Sequence, residues 1–227
     1  MEQRDRSIFR GEHPDQSDTL KHIIDNKWTL QARHASVETP KPTSTGVNDE
    51  PLSVPAVDSA IGATAEVYAQ VKKLTGGSVP NLFAAAGHVA PATLQAVLNA
   101  EGALASGSLS KQDLETIKLL VSEHTGCDYC IAAHVMLGKM VGLSPDTVSQ
   151  IHKGRPTGDA KRDALIRFVS VINETSGTIE ESEFAAIRSA GYTDTQLADI
   201  SLTIALTVFT NTFNRVNDTD LDFPPAN

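Results

Sequence analysis

The chain has 227 residues, of which 40% are hydrophobic and 21% charged, a composition typical of a globular protein with a sizeable core. Its formal net charge of −9 argues against nucleic acid or an anionic membrane surface as a partner, because both are bound through clustered Lys and Arg. The sequence shows no secretory signal and no run of about 18 apolar residues. We therefore expect a cytoplasmic protein with no membrane-spanning segment, whose cysteines stay reduced.

Residues 1–55 differ in composition from the rest of the chain. Residues 37–55 are rich in Pro, Thr, Ser and Gly and are predicted to form a linker. Before them, capping candidates and a partial apolar stripe predict one helix within residues 15–34. We predict two regions: an N-terminal extension, made of an arm and a linker, at residues 1–55, and a helical domain at residues 56–227.

Every segment from residue 56 onward predicts a helix. Lys72 precedes a Gly-Gly stop, Pro91 stands at the first turn of a later segment, and Ser110 is a candidate N-cap. The most apolar stretch, residues 200–213, predicts a buried core helix. Alanine is frequent, aromatic residues make up only 5%, and no alternating strand pattern occurs. We therefore predict an all-α fold.

The only two cysteines stand in the stretch GCDYCIAAHV, residues 126–135. A helix break at Gly126 is predicted to place Cys127 near a helix N-terminus and Cys130 one turn further in. Backbone N–H groups and the helix dipole stabilise a thiolate there, and each sulfur can reach the other. His134 shares their helix face and can accept and return a proton. The pattern therefore favours thiol chemistry.

A carboxylate would complete a proton relay with His134, and two candidates precede the cysteine pair. Glu115 lies twelve residues before Cys127, and Glu123 lies four residues before it. If the chain bends between the two helices, either carboxylate can fold towards the sulfurs. The spacing alone does not choose between them. Both Glu123 and Tyr129 are also candidates for lining the site.

Two other interpretations of the cysteine pair remain. The cysteines can be small buried apolar residues, or they can bind zinc together with His134 and either Glu115 or His124. A structural zinc site commonly takes four ligands arranged in two pairs, and the chain has no second C-x-x-C or H-x-x-x-H motif. We therefore predict neither a bound metal nor a cofactor.

The span of residues 56–223 resembles the carboxymuconolactone decarboxylase-like superfamily, and within it the AhpD-like alkylhydroperoxidase branch. The hallmark of that branch is a helix carrying Glu, then C-x-x-C twelve residues on, then His four residues after the second Cys. In this chain these positions are occupied by Glu115, Cys127, Cys130 and His134. The ending FTNTFNRVND is also similar to the closing helix of the family. The resemblance implies an AhpD-like helical bundle that assembles as a homotrimer or hexamer.

The resemblance also implies activity as a thiol-dependent peroxidase or disulfide oxidoreductase. Cys130 would attack the hydroperoxide substrate, and Cys127 would resolve the product as a disulfide. Glu115 and His134 would form the proton relay, and the reductant would be a dithiol of the lipoyl type carried by another protein. Tyr129 replaces a second His of that branch. Its phenol titrates only near about pH 10, so it is a poor proton shuttle at neutral pH.

Two alternative functions belong to different classes. One is a cofactor-free lactone decarboxylase, the activity that gives the superfamily its name, although that branch typically lacks the C-x-x-C pair. The other is a non-catalytic structural oligomer whose thiols sense the redox state. The presence of both cysteines favours the peroxidase interpretation over the decarboxylase.

Overall fold

The computed structural model describes residues 52–226, which form nine α-helices and contain no strand. A short 3-10 turn at Val57–Ser59 precedes the helices α1 (Gly62–Thr75), α2 (Asn81–Val89), α3 (Pro91–Ala105), α4 (Lys111–Thr125), α5 (Asp128–Met140), α6 (Pro145–His152), α7 (Ala160–Glu174), α8 (Glu181–Ser189) and α9 (Asp194–Asn217). The all-α prediction is confirmed for this part of the chain. None of these nine helices is long and apolar enough to cross a membrane.

The predicted helix within residues 15–34 and nearly all of the predicted arm and linker lie outside the described residues. The boundary at residue 55 therefore stays a prediction. Within the described part, helix ends follow the local signals of the sequence. Gly76 ends α1 in the left-handed conformation, at φ 78°, and Pro91 is the first residue of α3. The Ser110 hydroxyl accepts a hydrogen bond from the Asp113 N–H at 3.0 Å and so caps α4.

Helix α4 lies at the centre of the fold. It packs against α9, α5, α7 and α6, and its fully buried face contributes Ile117 and Val121 to the main core. A second, smaller core lies between α1, α2 and α3, where Val71 and Leu94 are buried with Tyr68. Because α4 contacts four other helices, side chains that it directs inward are fixed by packing on several sides.

Helix α9 packs against α4 as a core helix, but most of its buried side chains are polar. Its buried residues are Ile200, which joins the main core, and the polar residues Thr203, Thr207, Asn211, Asn214 and Asn217. Its exposed side chains include Leu202, Val208, Phe209 and Val216. The threonines tolerate burial because each hydroxyl bonds to a carbonyl one turn earlier, at 2.7 Å for both Thr203 and Thr207. Residues 200–213 therefore lie in a core helix, as predicted, although most of the side chains it buries are polar.

Two helical glycines offer a matched test of the packing. A Cβ placed on Gly87 would lie 2.5 Å from the Tyr68 ring and 3.0 Å from Leu94, whereas a Cβ on Gly102 would meet nothing within 4 Å. The Tyr68 hydroxyl is held by the Ala84 carbonyl at 2.5 Å, so the ring cannot easily withdraw. We expect Gly87→Ala to lower the free energy of unfolding by about 1–3 kcal/mol. Gly102→Ala should raise it by up to about 1 kcal/mol.

Urea unfolding of the two variants measures this difference. Two equally stabilised variants would contradict the close packing between α2 and the ring of Tyr68.

Candidate active site at the cysteine pair

The junction between α4 and α5 positions the two cysteines. Helix α4 ends at Thr125, and Gly126 adopts the left-handed conformation at φ 67°. Cys127 is the N-cap of α5, and its sulfur accepts a hydrogen bond from the Cys130 N–H at 3.4 Å. The predicted helix break and the placement of Cys127 at a helix N-terminus are confirmed. A negative charge on this sulfur is favoured by the free N–H groups of the helix end.

Cys127 and Cys130 are free thiols, only 2% and 3% exposed. The Cys130 thiol donates a hydrogen bond to the Cys127 sulfur, and this bond lowers the pKa of Cys127. Burial opposes that shift, and the Cys130 backbone N–H supports it. The same thiol–thiol bond, together with burial, raises the pKa of Cys130. Of the two thiols, Cys127 therefore loses its proton more readily, and Cys130 keeps its own.

Helix α9 supplies further contacts to the Cys130 sulfur. The side-chain N–H of Asn214 lies 3.2 Å from it, and the Thr210 hydroxyl also bonds to it. Both contacts favour a charge on Cys130, although they do not outweigh the thiol–thiol bond and burial. Cys130 is thus the sulfur that α9 holds, whereas Cys127 is the sulfur held by the end of its own helix.

Glu115 and His134 form the second feature of the site. The His134 Nδ1 and the Glu115 carboxylate are 2.8 Å apart, and their side chains are 14% and 11% exposed. Burial acts to raise the pKa of Glu115, but the charge and hydrogen bond of His134, helped by Lys118, lower it overall. Glu115 is therefore ionised at neutral pH and orients the imidazole. Of the two carboxylates left open by the sequence, Glu115 contacts His134.

Glu123 lies elsewhere. Its carboxylate bonds to the Nδ1 of His152, the last residue of α6, and the two side chains are 26% and 39% exposed. Burial raises the pKa of Glu123, with His152 opposing the shift and Asp128 adding to it. Glu123 is not among the side chains that line the cavity beside Cys130. It forms a separate carboxylate–imidazole pair between α4 and α6.

A cavity of about 370 Å³ opens beside the cysteine pair. Cys130 and His134 lie on its wall, whereas Cys127 does not. Most of the wall is apolar and is formed by Val71, Leu74, Pro80, Leu82, Phe83, Val97, Leu98, Leu137 and Phe223. The cavity also contains the ion pair of Lys118 with Glu101, whose charged atoms are 2.7 Å apart. A ligand in this cavity would reach the sulfur of Cys130 directly.

Tyr129, which the sequence indicates as a candidate for lining the site, lines the same cavity. Its ring packs edge-on against Phe223, with the ring centroids 5.3 Å apart. Its hydroxyl accepts a hydrogen bond from the Leu82 N–H at 3.3 Å and donates one to Asp222. Burial is the largest cause of a raised pKa for this phenol. Tyr129 is therefore a neutral wall residue that ties the C-terminal segment to the site.

No group of three or more His, Cys, Asp or Glu side chains within residues 52–226 is arranged to hold a metal ion.

Comparisons with known proteins identify a family segment and the fold. Residues 91–155 match the Carboxymuconolactone decarboxylase family. The AhpD-core structure of an uncharacterised peroxidase-related protein from Ralstonia eutropha JMP134 superposes with a TM-score of 0.65 at 22% identity and covers 75% of this chain and 90% of that one. A peroxidase-related protein from Silicibacter sp. TM1040 gives a TM-score of 0.65 at 23% identity and covers 78% and 94%. No curated protein matches the chain at a significant level.

The chain has an AhpD-like fold, and its residues 91–155 resemble the Carboxymuconolactone decarboxylase family. The segment that matches the family runs from the start of α3 to just beyond α6. It therefore contains all four residues of the sequence hallmark, Glu115, Cys127, Cys130 and His134. The debrominase Bmp8 shares the fold more distantly, with a TM-score of 0.62 at 16% identity and coverage of 76% and 92%.

Sequence reasoning missed four residues of the candidate site. Lys118 stands three residues after Glu115 on the same helix, so helical spacing was a usable signal for it. Thr210 and Asn214 lie about 80 residues beyond Cys130, and Phe223 lies further still, so no local pattern connects them with the cysteines. Only the packing of α9 and the C-terminal segment brings them to the site.

The shared charge of the cysteine pair can be tested by titration. We expect one thiol to ionise below the ordinary cysteine pKa of about 8.5, because the Cys130 S–H and N–H stabilise the Cys127 thiolate. Cys130→Ala removes the S–H donor and should raise the pKa of Cys127, whereas Cys130→Ser keeps a hydroxyl donor and should raise it less. Thiolate absorbance in the ultraviolet, followed against pH, measures both. An unchanged pKa in Cys130→Ala would contradict the shared charge.

The lowered pKa of Glu115 predicts a pH-dependent contribution to stability. A carboxylate with a depressed folded-state pKa stabilises the fold above its unfolded pKa of about 4.3, and this stabilisation is lost as the pH falls through the folded-state value. Glu115→Gln should therefore destabilise the protein most at neutral pH and progressively less in acid. Urea unfolding of both proteins over this pH range measures the penalty. A penalty that does not change with pH would show that the charge of Glu115 is unimportant.

Proposed function

We propose that the protein is a thiol-dependent peroxidase and disulfide oxidoreductase that reduces hydroperoxides with Cys127 and Cys130. One observation carries the proposal: a free cysteine pair at a helix N-terminus places one of its sulfurs on the wall of an apolar cavity, next to His134. The AhpD-like fold, which it shares with two peroxidase-related proteins, supports the same activity.

Cys130 is the attacking thiol in this proposal because its sulfur lies on the cavity wall. Cys127 ionises more readily than Cys130, so once Cys127 has lost its proton the proton of Cys130 must pass to it along the thiol–thiol hydrogen bond. No charge enters or leaves the pair in this step. Asn214 and Thr210 then stabilise the thiolate formed on Cys130.

The Cys130 thiolate attacks the terminal oxygen of the hydroperoxide. The S–O bond forms, the O–O bond breaks, and the alkoxide that leaves takes a proton from protonated His134 to become an alcohol. Cys130 is oxidised to a sulfenic acid, and the peroxide is reduced by two electrons. Glu115, 2.8 Å from the imidazole, orients the ring and stabilises its protonated form. Solvent returns the proton to His134.

Cys127 resolves the sulfenic acid. Its sulfur attacks the Cys130 sulfur, the S–S bond forms, and the hydroxyl group leaves as water with the proton of the Cys127 thiol. A dithiol then reduces the disulfide by two exchange steps and is itself oxidised to a disulfide. A lipoyl group carried by another protein is the reductant class that we propose, since two linked thiols complete both exchanges on one carrier.

The cavity wall points to hydroperoxides with an apolar organic group. Aliphatic and aromatic side chains on its wall, among them Phe83, Leu98 and Leu137, favour an alkyl or aryl substituent over water. Hydrogen peroxide has no apolar group and would leave most of this apolar surface without a contact. We therefore propose alkyl and aryl hydroperoxides as substrates in preference to hydrogen peroxide.

The alternatives make different demands on the cysteines. A cofactor-free lactone decarboxylase needs no thiol, and a redox-sensing structural oligomer needs no turnover. A structure of the debrominase Bmp8 contains a cysteine-to-alanine variant with 2,3,4-tribromopyrrole, at a TM-score of 0.63 and 14% identity, which shows that this fold also accommodates a halogenated aromatic ligand. The cysteine on the cavity wall supports thiol chemistry over decarboxylation in this chain.

We further propose that the protein forms a homotrimer or hexamer and acts in the cytoplasm. The outward face of α9 supports self-association, because Leu202, Phe209 and Val216 are exposed there, Val216 by 73%. The face is apolar, as expected of a surface that another subunit covers.

The first prediction of the proposal concerns the cysteines. After one equivalent of cumene hydroperoxide, intact-protein mass spectrometry should show a loss of about two mass units from a Cys127–Cys130 disulfide. Dihydrolipoamide should restore the original mass and support turnover. Cys130→Ser should abolish turnover, and Cys127→Ser should accumulate a sulfenic or over-oxidised Cys130. Full peroxide turnover in a variant lacking both cysteines would contradict the thiol mechanism, whereas a lactone decarboxylase activity would survive that double substitution.

The same assay tests the proton relay. Glu115→Gln and His134→Phe should lower peroxide turnover by about tenfold or more, since general acid catalysis commonly contributes about 10²–10⁴ in rate. Glu123→Gln is the matched control, because Glu123 lies on the same helix but pairs with His152 outside the cavity. Equal loss of turnover in Glu115→Gln and Glu123→Gln would rule out a specific relay. Circular dichroism checks that each variant is folded.

A further inference from the structure

The polar inner face of α9 contains one side chain whose hydrogen bonding is incomplete. The hydroxyls of Thr203 and Thr207 bond within the helix. Asn211 donates to the Thr125 hydroxyl at 2.8 Å and accepts from Ser122 at 3.4 Å, so it ties α9 to the end of α4. Asn214 is different, because only one half of its amide has a partner.

Asn214 is 3% exposed, and its N–H donates to the Cys130 sulfur at 3.2 Å. Its carbonyl oxygen is buried and has no hydrogen-bond partner within residues 52–226. An amide oxygen buried without a partner is unfavourable and rare, and a catalytic or redox role is one explanation for such a group. The unpaired oxygen belongs to the same planar amide that touches the reacting sulfur.

We propose that Asn214 is a catalytic residue that acts on Cys130 in two successive states. Its N–H stabilises the Cys130 thiolate before attack, and its carbonyl oxygen accepts the O–H of the sulfenic acid after oxygen transfer. This inference rests on the proposed peroxidase function, in which Cys130 is the attacking thiol.

The two roles fit the chemistry of the two states. A thiolate has only lone pairs and needs a donor, which the amide N–H supplies. A sulfenic acid carries an O–H on the same sulfur and needs an acceptor, which the amide carbonyl supplies. One asparagine can serve both states without moving to a new position. The carbonyl oxygen then has a hydrogen-bond partner only in the sulfenic acid intermediate. This bond stabilises the intermediate relative to the resting enzyme and so favours oxygen transfer to Cys130.

The sulfenic acid would also be held until Cys127 attacks. Cys127, Asp128, Tyr129 and His134 are the titratable groups nearest to Cys130 along α5, and Tyr129 stays neutral through burial. An acceptor on α9, on the other side of the sulfur from its own helix, would fix the direction of the hydroxyl. Cys127 can then displace it as water, with no change in the redox balance of the step.

The test uses the full chain with Cys127→Ser, so that Cys130 is the only thiol and its sulfenic acid cannot be resolved. Asn214→Asp keeps the shape and an acceptor oxygen but removes the donor and adds a negative charge. Asn214→Ala removes both donor and acceptor. Asn211→Ala is the matched control, since Asn211 is a buried asparagine one turn earlier that does not contact the sulfur. Urea unfolding establishes that each variant is folded.

Two readouts separate the two halves of the amide. The pH dependence of alkylation by iodoacetamide reports the pKa of Cys130, and it requires no peroxide. Dimedone trapping after one equivalent of cumene hydroperoxide, followed by mass spectrometry, reports the lifetime of the sulfenic acid. We expect the pKa of Cys130 to rise in Asn214→Asp and Asn214→Ala. The sulfenic acid should be shorter-lived only in Asn214→Ala, by about two- to tenfold, the effect of one hydrogen bond.

The proposal is overturned if Asn214→Ala matches Asn211→Ala in both readouts, because Asn214 would then be a structural residue. A sulfenic acid that is equally short-lived in Asn214→Asp and Asn214→Ala would overturn the acceptor role alone. If the parent with Asn214 intact forms no sulfenic acid, the peroxidase proposal fails and the acceptor role fails with it. The donor role is still decided in that case by alkylation.

Discussion

The hydrogen bonds at the start of α5 are the interactions on which the site depends. Gly126 turns the chain in the left-handed conformation, and Cys127 then caps the new helix with its sulfur. The capping bond comes from Cys130, so the geometry that starts the helix also brings the second sulfur within reach of the first. Charge on one sulfur is stabilised by the proton on the other. A cap made by Ser or Asp would start the helix equally well but could not form a disulfide.

The central helix α4 joins this pair to the rest of the chemistry. Glu115 and Lys118 stand one turn apart on α4, and Lys118 pairs with Glu101 of α3 at 2.7 Å. The two carboxylates and the single ammonium leave one negative charge unmatched. The imidazole of His134, 2.8 Å from the Glu115 carboxylate, lies next to these charges. The residue proposed as general acid for the leaving alkoxide is thus held in place by a carboxylate.

The surroundings of Cys130 are divided between two environments. Apolar side chains of α1, α2, α3 and α5 form most of the cavity wall, while α9 brings Asn214 and Thr210 to the sulfur. An organic substituent is favoured in the first environment and a charged or hydroxylated sulfur in the second. This division accounts for the polar side chains of Asn214 and Thr210 at the position where α9 meets Cys130.

Local sequence signals determined the helices, their caps and the break at Gly126, because caps and glycine conformation depend on neighbouring residues alone. They also placed Cys127, Cys130 and His134 on one helix, since their spacing fixes their face. Spacing could not choose between Glu115 and Glu123, because the choice depends on how α4 folds back on α5. Only tertiary packing decided which face of α9 is buried, which groups Asn214 contacts, and that Phe223 packs against Tyr129 at the site. These contacts join residues more than 80 positions apart in the sequence. The face of α9 that meets the core depends on the polar groups that other helices bury next to it.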